Sequence, residues 1–344
     1  AGCQIPAGVM AAAFQATLLN APLKDPGLFI RLAHERRALQ FDLGDISALA
    51  PRDALKISHV FVSHAHIDHF FGFDRLLRLT VERQKQIHLF GPGGFINHVQ
   101  GKLDGYLWNL LGPQSQSLVL DLTEVDAREM VTMRYRCRNG FGPAAAGRRE
   151  PFTGSLLEEP NFTISAEILD HGTPCLGFAL QERFRINVLN EGLKALGLRP
   201  GPWLQDLKKA LYGSVTADHE FVIPSDYASG RYRFTVGDLA KRITRATTGQ
   251  KIAYVTDIAY SEKNIARVVR LARNADHLFI EAAFLDRHRH LASVRHHLTA
   301  QQAGTLAAMA EVKRVTPFHY SARYGDCPEA LANEVQAAFK RQRP

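Results

Sequence analysis

The sequence predicts an α/β protein: two β-sheets packed face to face with helices on both outer sides, a four-layer αββα sandwich. Three observations lead there. Strand-like and helix-like segments alternate in both halves of the chain, and no low-complexity linker separates the halves. The third is composition: 344 residues, 46% apolar and 22% charged, supply a large core and exclude bulk disorder. One domain over residues 1–344 follows, interrupted at 183–213 by an insertion that does not fit the layers.

The elements are read in order. A flexible start leads into a first strand near 14–19, and two strands at 28–32 and 38–42 flank the polar turn 34–37. A β-rich run at 59–63 precedes a histidine-laden loop and a helix at 73–84. The strand 87–90 is stopped by Gly91-Pro92-Gly93-Gly94, after which 95–108 has helical spacing. Runs at 119–125, 131–137, 162–170 and 177–182 read as an antiparallel meander, with a Gly-, Pro-, Ala- and Arg-rich loop at 139–160. The rhythm then repeats: strand 251–256, helix 261–274, strand 277–281, helix 300–310, strand 312–317 and a terminal helix 328–341. Residues 183–213 place Leu193, Leu196 and Leu198 before Pro200-Gly201-Pro202-Trp203, and Leu204, Leu207 and Leu211 after it. This pattern reads as two short helical pieces around a rigid turn, a protruding helical arm. Its six Lys and Arg against two Asp and Glu give +4, half the net charge of the chain.

That net charge of +8, with a pI near 9.4, favours an anionic partner such as nucleic acid. Cys3, Cys137, Cys175 and Cys327 form no CxxC pair, which excludes a disulfide scaffold and a cysteine zinc site. They indicate a reducing compartment, and the expected location is the cytoplasm. No run of about 18 apolar residues exists, so no membrane-spanning helix is expected. The apolar stretch 5–19 is interrupted by Pro6, Gly8, Gln15 and Thr17 and lacks the basic leader of a signal peptide.

The chemistry concentrates in Ser63-His64-Ala65-His66-Ile67-Asp68-His69, directly after Val60-Phe61-Val62. Imidazole and carboxylate groups crowded at a strand exit have little packing value, and they are the ligands that divalent metals such as Zn²⁺ prefer. Alternate residues of an extended segment point the same way, so His64 and His66 can reach one metal together, leaving Asp68 and His69 for a second. Further ligands stand at other strand exits: His171 after 162–170, Asp257 after 252–256, and His319 after Val315-Thr316-Pro317-Phe318. Three polar groups at exits of apolar strands point to one shared rim. A carboxylate such as Asp257 can bridge two cations roughly 3.5–4 Å apart.

The run His64 to His69, Leu169-Asp170-His171-Gly172-Thr173, Thr256-Asp257-Ile258 and Pro317-Phe318-His319-Tyr320 together resemble the ordered motifs of the metallo-β-lactamase-fold hydrolases. Three more segments narrow the likeness: His277 to Phe284, His297-Leu298-Thr299-Ala300-Gln301-Gln302-Ala303-Gly304, and His319-Tyr320-Ser321-Ala322-Arg323-Tyr324. They resemble the signature blocks of ribonuclease Z, the tRNA 3′-processing endonuclease family, and residues 196–203 look like the Gly-Pro block of that family's tRNA-binding arm. The resemblance implies two divalent metal ions, Zn²⁺ with Mn²⁺ or Fe²⁺ as alternatives. His64, His66 and His171 would hold one, Asp68, His69 and His319 the other, and Asp257 would bridge. It implies catalytic roles for Asp68 and for His297, which lies outside the metal shell, with Glu281 orienting a histidine. It implies substrate contacts from Lys194, Arg199, Gly201, Lys208 and Lys209 on the arm and from Ser321 and Arg323 near the site, with precursor tRNA as partner and a homodimer as assembly.

The chain departs from that pattern at Leu18-Leu19-Asn20-Ala21-Pro22-Leu23, where a Gly-rich turn is usual, at Asp42-Leu43-Gly44-Asp45, where Asp-Cys-Gly-Glu is usual, and at Ile258 after the bridging aspartate, where Thr is usual. None removes a ligand, but all lie on the substrate side. A second reading therefore stays open: a hydrolase of the same fold acting on a small phosphodiester or other small ester. A third, a nucleic-acid binder with structural metals, fits poorly, because seven candidate ligands for two metals leave positions open to water.

Overall fold

The computed structural model describes residues 13–33, 35–114, 117–142, 147–213, 215–230 and 232–341. Cys3, the expected flexible start and His34 lie outside these residues. Eight strands lie side by side in chain order in the first sheet: β1 (Phe14–Leu18), β2 (Leu28–Leu32), β3 (Ala38–Phe41), β4 (Ile57–Phe61), β5 (Lys85–Pro92), β6 (Leu118–Val125), β7 (Glu129–Arg136) and β8 (Arg148–Pro151). From β3 to β6 the strands run parallel, so crossovers must return the chain each time, and all three carry helices, the first only the short Pro51–Ala54. The helix Phe73–Thr80 buries Phe73, Leu76, Leu77 and Thr80, one face at helical spacing, and Phe95–Asp104 buries Phe95, Val99 and Leu103.

The second sheet begins with β9 (Ser155–Glu158), β10 (Phe162–Asp170) and β11 (Pro174–Glu182). After β12 (Phe184–Val188), β13 (Glu220–Val222), β14 (Arg233–Thr235) and β15 (Thr244–Thr248), the chain returns as β16 (Lys251–Val255), β17 (His277–Glu281) and β18 (Val315–Phe318). The strand order is β18-β17-β16-β11-β10-β9, with β16, β17 and β18 parallel. Rings from both sheets meet in the core: Phe178 lies 5.4 Å from Phe41 and 5.8 Å from Phe61 between centroids, and Tyr254 lies 5.8 Å from Phe41 and 5.1 Å from Phe318. Truncating one such ring costs about 3–5 kcal/mol. The outer helices of this half include Glu262–Ala272, whose first turn is capped by the Ser261 hydroxyl, and Ala300–Met309, which opens with a Thr299/Gln302 capping box. Gly304 lets Ala300–Met309 approach the terminal helix Pro328–Arg341, since a Cβ there would strike the Val335 carbonyl.

Three expectations are corrected. The stretch 139–160, expected as a loop, contains β8 and β9. β8 is short, charged and ends in proline, features suited to the sheet edge it occupies beside β7, and they mask its strand character in the sequence. The expected meander is split, with β6 and β7 in the first sheet and β10 and β11 in the second. The segment 183–213 opens with a strand, β12, before its helices Asn190–Ala195 and Trp203–Tyr212.

That segment belongs to a second compact unit, Leu157–Thr163 with Gln181–Gln250; the remaining residues form the first unit. The second unit has its own core, in which Leu193, Leu198, Trp203 and Leu207 pack with Ile223, Phe234, Val236, Leu239 and Ile243. The last five lie beyond Gly213, and two antiparallel pairs, β12 with β15 and β13 with β14, hold the unit together. Counted over the whole unit, eleven Lys and Arg meet nine Asp and Glu, so its net charge is +2.

Candidate functional site

The site is built at the carboxyl ends of parallel strands, where open α/β sheets place their ligands. β4 runs into Ser63, whose backbone N–H donates to Asp42 Oδ1 at 2.6 Å. His64 and His66 follow in extended conformation, and the short helix Ile67–Phe70 lifts Asp68 and His69 beside them. His171 stands in the turn between β10 and β11, where Gly172 takes a φ of +74°. Asp257 follows β16, Glu281 ends β17, and His319 follows β18 with a φ of +59°.

The structure brings all seven expected metal ligands together. His64, His66, His171 and Asp257 form one group that could hold a metal ion, and Asp68, His69 and His319 form another. Nε2 of His64 lies 2.9 Å from Nδ1 of His66 and 3.8 Å from Asp257 Oδ2, and His171 Nε2 lies 3.6 Å from the same oxygen. In the second group, Asp68 Oδ2 lies 3.1 Å from His319 Nε2 and 3.4 Å from His69 Nε2. Asp257 reaches this group as well, 3.4 Å from His69 Nε2 through Oδ2 and 2.7 Å from His319 Nδ1 through Oδ1. Two nitrogens on one tetrahedral metal at about 2.0–2.1 Å each stand about 3.3 Å apart, so these separations suit shared cations.

Buried polar atoms make the same point. Among the described residues, Nε2 of His69 and Nδ1 of His319 are buried with no hydrogen-bond partner, the second because Asp257 Oδ1, though near, is off the line that a hydrogen bond needs. Burial pushes the His64 imidazole down to about 2, leaving it neutral with a lone pair to give. Burial also works against charge on His69 and His319, yet Asp257 foremost, with Asp42 at His69 and Asp68 at His319, raises both rings. Burial alone would raise Asp257, but His319 and His69 hold it well below the carboxylate range. The carboxylates here call for positive charge, and divalent metals fit the donor set.

The far ring nitrogens are fixed by neighbours, which sets each imidazole's orientation. Asp42 Oδ2 lies 3.0 Å from His69 Nδ1, and the His296 carbonyl lies 2.8 Å from His171 Nδ1. Glu281 also forms a possible group with Asp257, His297 and His319. Its oxygens are already engaged, however: Oε2 stands 2.8 Å from His297 Nδ1, and Oε1 accepts from the Ile258 and Leu298 amides. Burial disfavours the charged form of His297, but the Glu281 carboxylate overcomes this and raises its pKa.

Ser321 and Arg323 lie two and four residues past His319, with the Ser321 hydroxyl accepting from the Arg323 amide. The arm residues lie in the second unit. Lys194 is exposed without an ion pair among the described residues, and Arg199 donates to the Asp226 carbonyl. Lys209 pairs with Asp206 at 3.3 Å, and Lys208 is partly buried, which lowers its pKa. Gly201 gives room for the Tyr227 ring.

Sequence reasoning missed Asp42. Wholly buried, it accepts from the Ser63 amide and hydroxyl and from Tyr254 Oη at 2.8 Å, besides holding His69. The signal that could have found it is an acidic residue at the exit of an apolar strand, the pattern that identified Asp257.

Likenesses to known proteins agree with this geometry. Residues 24–92 match the metallo-beta-lactamase superfamily. A ribonuclease Z of Deinococcus radiodurans is 32% identical over 330 residues, covering 94% of this chain and 95% of that protein. Among solved structures, the metallo-beta-lactamase fold protein YhfI from Bacillus subtilis superposes with a TM-score of 0.55 at 14% identity, over 94% of this chain and 92% of that one. The short form of human tRNase Z superposes with a TM-score of 0.50 at 19% identity, over 91% of this chain and 93% of that one. With this fold, and with a relative of that identity matched along nearly its whole length, the chain belongs to the ribonuclease Z family of metallo-β-lactamase-fold hydrolases.

Proposed function

We propose that this enzyme removes the 3′ trailer from precursor tRNA by phosphodiester hydrolysis at a two-metal site. The observation that carries the reading is the pair of donor groups joined through Asp257, with His297 beside them on Glu281. His64, His66 and His171 would hold one ion, Asp68, His69 and His319 the other, and Asp257 both. When bound, such ions supply Lewis acidity that eases ionisation of water near neutral pH and offsets charge on the phosphate.

The chain's own groups do the rest. Asp68 is kept ionised: burial alone would raise its pKa, but His319 and His69 lower it, so it meets the attacking water as a carboxylate that accepts its hydrogen bond, orients it and passes its proton on to solvent. As the new P–O bond forms, the bond from phosphorus to the 3′ oxygen breaks. With Nδ1 of His297 committed to Glu281, Nε2 is the atom that gives its proton to that departing oxygen. The tRNA then carries the free 3′ hydroxyl and the trailer the phosphate. A homodimer in a reducing compartment completes the reading; for the compartment, the support is that Cys137, Cys175 and Cys327 form no disulfide among the described residues.

The test compares a labelled precursor tRNA with a small chromogenic phosphodiester, for the wild type and for His66→Ala. Cleavage of the precursor at the trailer junction, lost together with bound metal in His66→Ala, is expected. Hydrolysis of the small ester alone would replace this reading with that of a small-phosphodiester enzyme. Unchanged turnover and metal content in His66→Ala would remove the donor groups from the chemistry.

A further inference from the structure

Residues 286–297, leading into the histidine beside the metal groups, carry Arg287, Arg289 and Arg295 against the single acid Asp286. The three arginines differ in state. Arg289 is spent on Asp286, with Nε at 3.1 Å and Nη2 at 3.0 Å from Oδ1. Arg287 and Arg295 are exposed, and among the described residues their side chains have no hydrogen bond or ion pair. An unpaired guanidinium in water has little structural value, and its planar fork matches phosphate oxygens.

The same segment is tied to the site at three points. His296 adopts a φ of +57°, uncommon for a residue with a side chain, and so presents its carbonyl to His171 Nδ1 at 2.8 Å. Its ring covers Gly172, where a Cβ would stand 3.0 Å from His296 Cδ2. His288 Nδ1 lies 2.6 Å from Tyr324 Oη, which also accepts from the Leu285 amide at 3.1 Å, fixing the other end of the segment to the block that follows His319. The two free arginines thus sit on a segment held at both ends, and Arg295 is two residues from His297.

We propose that Arg287 and Arg295 form a phosphate-gripping rim that holds the RNA backbone on the 5′ side of the cut. The side follows from the chemistry. His297 serves the departing 3′ oxygen, which belongs to the tRNA and not to the trailer, so groups flanking His297 meet the acceptor end. This inference rests on the proposed function. Both arginines are positioning residues, since they hold the strand and do not touch the reacting atoms.

The test is the Arg287→Ala/Arg295→Ala double variant, with Arg287→Lys/Arg295→Lys and Arg289→Ala beside it, assayed on precursor tRNA and on a small chromogenic phosphodiester. On precursor tRNA, the alanine pair should raise KM about tenfold or more and leave kcat within about twofold. The salt slope of log kcat/KM should flatten by about 0.7–0.9 for each phosphate no longer held. The small ester, metal content and Tm should not change, the lysine pair should retain most of the salt slope, and Arg289→Ala should behave as wild type. A precursor with neutral methylphosphonates at the three linkages 5′ of the cut should erase the difference between wild type and the alanine pair; methylphosphonates in the trailer should preserve it. An unchanged KM, an equal loss on the small ester, or a difference erased only by trailer methylphosphonates would overturn the proposal. A wild type that hydrolyses the small ester but not precursor tRNA would overturn the proposed function, and this rim with it, before any variant is compared.

Discussion

Asp42→Asn probes a buried carboxylate that holds the site without facing a metal. Asp42 Oδ2 receives Ser63 Oγ at 2.9 Å, Tyr254 Oη at 2.8 Å and His69 Nδ1 at 3.0 Å, while Oδ1 receives the Ser63 amide at 2.6 Å. Asparagine keeps the shape and tolerates the left-handed backbone at this position, where φ is +52°, so the change tests polarity alone. Its single oxygen can serve the three donors on one side, but its NH₂ group then faces the Ser63 amide as donor against donor. A buried amide left without an acceptor costs about 1–3 kcal/mol, and the bonds that remain lose their charge assistance. The metal-free protein should therefore unfold about 2–4 kcal/mol more easily. His69 loses the carboxylate that fixes its tautomer, and loss of such a partner typically weakens metal binding about 10–100-fold. Competition against a chromophoric chelator reads the metal affinity, and chemical denaturation of the metal-free protein reads the stability. Metal affinity within about threefold of wild type would show that Asp42 does not set the ligand geometry, even if stability falls.

The remaining expectations concern other parts of the molecule. His297→Ala should keep its bound metal and lose about 10²–10⁴ in the chemical step, as expected for a lost proton donor, and Glu281→Gln should follow it in part. Metal lost along with activity, read by elemental analysis, would place His297 in the coordination sphere. Replacing Lys194, Arg199, Lys208 and Lys209 with Ala should raise KM for precursor tRNA and spare kcat, with Lys209→Ala alone contributing little because Asp206 already neutralises it. A wild-type KM and salt slope in the quadruple variant would end the role of the second unit in gripping RNA. His59 is 7% exposed, and burial, then His88 and Arg37, depress its pKa to about 3. Its folded-state pKa is below the unfolded value of about 6.5, so the unfolded chain binds the extra proton first. Stability is whole above that pH and declines as pH falls toward 3, by about 2 kcal/mol at pH 5. His59→Gln should flatten the fall in Tm between pH 7 and pH 5, and an unaltered fall would assign the acid sensitivity elsewhere.

Most of the site was legible because its residues break a local rule. His64, His171, Asp257 and His319 each stand where an apolar strand ends, and a titratable side chain there needs a reason that packing does not supply. Asp42 breaks the same rule but follows a strand of only four residues, and its partners Ser63, His69 and Tyr254 lie 21, 27 and 212 residues away. Such a pairing exists only once both sheets are assembled. Glu281 was visible only as part of a resembling block, because its hydrogen bond to His297 crosses from the end of β17 to the loop after the helix Arg289–Val294.

The same physics explains what was misread in the fold. Interior strands bury both faces and read as apolar runs, so β4, β11 and β17 stood out. The edge strand β8, Arg148–Pro151, must instead discourage further pairing, and the charges and proline that do so are the signals of a loop. The second unit failed for a different reason. Its first half, ending near Gly213, supplies only part of an apolar core, and Ile223, Phe234, Val236, Leu239 and Ile243 arrive later along a polar chain. A reading that stops where the helical spacing stops also overstates the charge, since the acids that bring the unit down to +2 lie largely outside 183–213: Glu158, Glu159, Glu182, Asp218, Glu220, Asp226 and Asp238. Several of them pair with its bases, Arg233 with Glu220 at 3.0 Å and Arg242 with Asp238 at 2.8 Å. Any grip on RNA by this unit therefore comes from particular unpaired cations such as Lys194, and not from a net field.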